Sequence, residues 1–133
     1  MKGQISIDLI LAIIITFVFA GAMQSVISGM NETQSKISVI NHQKEIGNNI
    51  AEILAMGKSL EDGQSFLVKY SIPDVIVFGD IETGCEIRIL PDEITITSVF
   101  KENQIASSVK HTAGIANLQK TALKCGDYLE IKK

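Results

Sequence analysis

The chain has 133 residues, 46% of them hydrophobic and 20% charged, with acidic residues outnumbering basic ones by 15 to 12. That length holds one domain, and the globular part is small once the very apolar N-terminal segment is set aside. The acidic balance, with no cluster of Lys or Arg along a face, argues against nucleic acid as a partner.

The first predicted element is a helix that crosses a membrane. Leu9 to Met23 contains one polar residue, Thr16, and the apolar pattern continues through Val26, Ile27 and Met30. A bilayer core takes about 20 mostly apolar helical residues, so Leu9 to Met30 is long enough to span. Lys2 is the only basic residue before the span, and the positive-inside tendency puts it in the cytoplasm with the rest of the chain outside the cell. Two targeting readings compete. In one, Met1 and Lys2 open an ordinary secretory signal and Ala20-Gly21-Ala22 is its cleavage site, which frees a secreted binding domain. In the other, the cut precedes the apolar segment, which stays on the mature protein. A third possibility is an uncleaved single-span surface protein.

Lys2-Gly3-Gln4-Ile5-Ser6-Ile7-Asp8 resembles the class III (prepilin-type) signal of archaeal type IV pilins, in which a leader ending Lys-Gly precedes Gln, then Ser, then an acid at the fifth mature position. Asp8 stands where the family usually has Glu, and Ala12 where it has Leu. The resemblance covers about the first 25 residues. It implies processing between Gly3 and Gln4 by a prepilin peptidase, with residues 1–3 as leader. Handling by a pilus assembly machinery and packing with identical or related subunits in an extracellular filament would follow. It also implies that Gln4, Ser6 and Asp8 serve assembly and register. Charge supports this use of Asp8: a carboxylate at the head of an apolar helix costs several kcal/mol to bury unless paired, and cleavage exposes the α-amino group of Gln4 on a neighbouring copy. The simpler alternative is an acid resting at the membrane interface near a helix N-terminus.

Beyond the span, apolar residues recur at Ile37, Ile40, Ile50, Ile53, Leu54 and Leu60, an amphipathic helical pattern. Glu32, Gln34, Lys36, Gln43, Lys44, Asn48 and Lys58 occupy its solvent face. With no proline before Pro73, one helix is expected from about Ile5 to about Met56, on the order of 75 Å long. Gly57 and Glu61-Asp62-Gly63 form its stop, and bends are expected at Gly21, Gly29 or Gly47. Residues 4–60 thus form the helix, with 5–30 in the membrane or filament core and 31–60 amphipathic. Asn31-Glu32-Thr33 is an N-glycosylation sequon, so Asn31 is a candidate modification site.

Residues 61–133 read as a β-rich head. Strands are expected at Ser65 to Tyr70, Val75 to Phe78, Cys85 to Leu90, Glu93 to Phe100, Ile105 to His111 and Tyr128 to Ile131, separated by turns such as Gly79-Asp80 and Pro91-Asp92. Ile94-Thr95-Ile96-Thr97 alternates most clearly, isoleucines to a core and threonines outward. Thr112 to Lys124 is open between loop and short helix. The expected fold is α+β, a long N-terminal helix packed against a small antiparallel meander.

Cys85 and Cys125 lie outside the cell on this topology, where a disulfide is the simplest state. Closing a loop of about 40 residues stabilises by roughly 4 kcal/mol. The alternative is two unpaired buried thiols. No phosphate loop, nucleophile elbow or zinc motif appears, which points away from an enzyme and from any cofactor. His42 and His111 read as surface residues. Asp74, Asp80, Glu82, Asp92 and Glu93 gather at turns without the spacing of a calcium loop, and five Phe, two Tyr and no Trp give little sign of a sugar-stacking site.

Overall fold

The computed structural model describes residues 2–59, 65, 67–78, 81–116 and 118–132, with side chains from residue 7 onward and without that of residue 78. One helix, α1 (Lys2–Ser59), runs for 58 residues. It contains the stretch from Ile5 to Met56 expected to be helical and passes unbroken through Gly21, Gly29, Gly47 and Gly57. Each glycine weakens a helix by about 1 kcal/mol, too little to interrupt one whose intervening residues are mostly good helix formers. Gly57 is therefore not the stop. It is buried in the helix, and Glu61-Asp62-Gly63 and Leu60 lie outside the described residues. The chain divides into a unit of Met1–Ser35 and a unit of Lys36–Lys133; among the described residues the first is helix alone, and the second holds the rest of α1 and all the strands.

In the second unit the helix turns one stripe inward. Val39, Gln43, Ile46, Ile50 and Leu54 are buried at steps of three or four, the helical period. This stripe is rotated from the expected one: Ile37 is exposed, and Ile40 and Ile53 are half-buried. Gln43, assigned to solvent from sequence, is fully buried at 0% exposure. Its Nε2 donates to Ser98 Oγ at 3.0 Å and to the Ile105 carbonyl at 3.1 Å. The sheet supplies acceptors at that point, so a polar residue fits inside where period alone would put an aliphatic one.

The strands are β1 (Leu67–Ser71), β2 (Ile76–Phe78), β3 (Ile81–Thr83), β4 (Cys85–Ile89), β5 (Glu93–Phe100), β6 (Asn103–Lys110), β7 (Ala122–Lys124) and β8 (Tyr128–Lys132). Every ladder is antiparallel, which with α1 makes the α+β fold. β4, β5 and β6 form the expected meander. The rest departs from it: β7 returns to the far side of β4, β2 pairs with β3, and β1 pairs with β8. The ambiguous stretch before Cys125 is thus loop ending in β7. Strand β3 went unread because its three residues, Ile81-Glu82-Thr83, are too short to show a period. Gly79-Asp80 lies outside the described residues. The β5–β6 hairpin turns on Lys101 and Glu102, both with positive φ, 44° and 66°. That handedness suits a two-residue hairpin but is more at home on Asn-Gly.

Ile94 and Ile96 point inward and Thr95 and Thr97 lie at the half-exposed face, as their alternation requires. With Ile87 and Ile89 they meet Ile46, Ile50 and Leu54 of α1 in one core. Each such side chain contributes about 2 kcal/mol by leaving water. The closest approach is at Gly47, where an added Cβ would lie 2.8 Å from Val109 Cγ2 and 3.2 Å from Ile96 Cδ1. Gly47→Ala is therefore expected to destabilise the head by about 1 kcal/mol, overpacking outweighing the gain in helix propensity. Chemical denaturation checks this; a more stable variant would show that the contact relaxes freely.

Cys85 opens β4 and Cys125 follows β7, its antiparallel neighbour. The Cys125 N–H donates to the Cys85 carbonyl at 2.9 Å, the Cα atoms are 5.0 Å apart, and the two are disulfide-bonded. The ladder sets that spacing, and it is one a disulfide can bridge.

Candidate functional site

The apolar part of α1 is the feature that the head's core does not explain. Every residue from Ile7 to Gln34 is exposed, including Phe17 at 75%. Consecutive bulky residues Ile13-Ile14-Ile15 and Phe17-Val18-Phe19 cover all sides of the helix, since neighbours project about 100° apart. A helix apolar all round belongs inside a membrane or among other helices. This one is long and apolar enough to cross a bilayer.

Three of its hydroxyls are satisfied locally. Thr16 Oγ1 donates to the Ala12 carbonyl at 2.8 Å, Ser28 Oγ to Gln24 at 2.9 Å and Thr33 Oγ1 to Gly29 at 3.0 Å. With these hydroxyls folded onto the carbonyls four residues back, the helix presents hydrocarbon at Thr16 and Ser28. Gly21 and Gly29 have open space where a Cβ would stand. With Ser25 between them they make a small-residue line at four-residue spacing, which lets another backbone approach closely. The sequence shows this spacing plainly, but it yields to the louder signal of the apolar run.

Asp8 is the one charged residue between Ile7 and Met30. It is exposed on the helix, and no hydrogen bond or ion pair joins it to another described residue. Gly3 and Gln4 fall in the helical backbone; the side chains of Gln4 and Ser6 lie outside the described residues. Asn31 is exposed on α1. Asp8 and Asn31 stand 23 residues apart along the same helix, and the disulfide belongs to the second unit.

The two histidines part company. His42 is exposed, whereas His111 is only 8% exposed, contrary to its reading as a surface residue. Its Nε2 lies 2.8 Å from the Leu90 carbonyl and its backbone N–H donates to the Asp92 carbonyl. The ring thereby closes the β4–β5 turn onto the end of β6. Asp80 lies outside the described residues; the other turn acids do not converge, and among the described residues no group of three His, Cys, Asp or Glu side chains is placed to hold a metal.

No family model, curated protein or solved structure matches this chain.

Proposed function

We propose that the protein is a structural subunit of an extracellular type IV pilus-like filament, used for adhesion or surface attachment. In this reading the precursor is inserted with its head outside the cell, loses residues 1–3 to a prepilin peptidase, and keeps α1. The apolar half of α1 then exchanges lipid for the same surface of neighbouring subunits. Asp8 and the new amino terminus at Gln4 set the axial register, and Ser6 lies between them. A non-closing contact repeated between identical copies gives a helical fibre.

The observation that carries the reading is the helix's surface: apolar on every side from Leu9 to Phe19, the Thr16 hydroxyl turned onto the backbone, and one acid at its head. A plain membrane anchor needs the first two features but has no use for the acid. Release after Ala22 would cut within one unbroken helix, and an extended segment suits a peptidase better.

The test is to shear intact cells and follow the head with a specific antibody. Labelled fibres in the sheared material are expected. Label confined to membranes would mean a single-span surface protein, and label free in the medium a secreted domain.

A further inference from the structure

Strand β8 is paired along its length on one edge only, by β1. On the other edge a single bridge joins Ile131 to Leu118, and beside it a cleft of about 350 Å³ opens between β8 and β7. Its lining is mostly polar, with Gln119, Lys120, Asp127, Tyr128 and Glu130 beside the buried Leu123 and Leu129. We propose that this cleft binds a neutral hexopyranose, the kind of ring that ends a surface glycan.

Tyr128 is the first reason. It is 53% exposed, yet its ring is braced: Lys69 Nζ sits 4.1 Å from the ring centroid and is itself held 3.7 Å from Glu130 Oε1. Lys69 belongs to β1 and caps one face of the ring, and the same tyrosine lines the cleft. A fixed aromatic face beside a cavity suits the C–H face of a sugar, and little ordering is needed on binding.

The polar groups are the second reason. Lys124 N–H donates to Asp127 Oδ2 at 2.9 Å, which fixes that carboxylate and leaves its other oxygen without a partner among the described residues. The same lining holds the Gln119 amide, which donates and accepts, the Lys120 ammonium, which donates, and the Glu130 carboxylate, one oxygen of which faces Lys69. Sugar hydroxyls, each donor and acceptor at once, match such a mixture. Asp127 and Glu130 are balanced by Lys120 and Lys69, so the site carries no net charge to draw in phosphates or acidic sugars, and its polar lining disfavours an apolar ligand.

This proposal stands whether or not the chain polymerises. Its test is heteronuclear NMR of the full chain in a detergent without a sugar headgroup, titrated with methyl glycosides of glucose, galactose and mannose, and with glucuronate. At least one neutral glycoside is expected to give saturable shifts confined to amides around Gln119 to Leu123 and Cys125 to Glu130, with a Kd on the order of 1 mM. Tyr128→Ala is expected to weaken that binding about tenfold, while amides away from β8 keep their positions and report an intact fold. No saturable shift with any neutral glycoside, equal binding of glucuronate, or binding unchanged in Tyr128→Ala would each overturn the assignment.

Discussion

Replacing Cys85 and Cys125 together by serine is expected to destabilise the head by about 4 kcal/mol, the chain-entropy value for the 40-residue separation of this bridge. For a domain of about 100 residues that corresponds to a fall in Tm of roughly 15–30 °C. The loss should be large because the bridge secures what the ladders hold weakly. β7 meets β4 through three residue pairs, and the chain then turns through Gly126 into β8, which closes against β1. Near-UV circular dichroism in detergent reads this directly, since Tyr70 and Tyr128 both lie in strands of the head. A shift below about 5 °C would mean that the unfolded chain gains little freedom when the bridge is lost.

Asp8→Asn is expected to abolish fibres while leaving membrane insertion and leader removal intact. The substitution keeps the size of the side chain and removes its charge. In the proposed assembly each subunit buries a carboxylate against the amino terminus of a neighbour. Removing one member leaves the other buried and unpaired, at a cost of about 3–5 kcal/mol per contact, or a factor of about 10² to 10⁴ in each association constant. Asp8→Glu retains the charge and should retain fibres. Electron microscopy of sheared material, with membrane and processed fractions followed alongside, separates assembly from insertion. A normal fibre yield from the Asp8→Asn variant would remove the register device from the account.

How far the sequence could be read depended on how strong its local signals are. The long helix was legible because an apolar run of membrane length leads into a stretch of helical period with no proline between them. The meander was legible at Ile94-Thr95-Ile96-Thr97, where alternation is strict. Strands β3 and β7 were not, being three residues each and defined by their partners rather than by any pattern. Gln43 and His111 were misplaced for a related reason: both are buried by acceptors on distant segments, Ser98 with Ile105 and Leu90, which a local reading does not register. Tyr128 was hidden as well, since a lone tyrosine signals nothing until Lys69 and the cleft are placed beside it. At the candidate assembly site, Asp8 and the apolar run were legible from residue type alone, while the inward-turned hydroxyls of Thr16 and Ser28 needed coordinates.

The most direct test of the central claim is the amino-terminal sequence and intact mass of the protein recovered from the cell surface. Retention of the apolar helix with removal of the leader predicts a chain beginning at Gln4 and continuing through Phe17 and Met30 into the head. A mature chain beginning at Met23 would contradict it, because the helix proposed to build the filament would have been discarded before assembly.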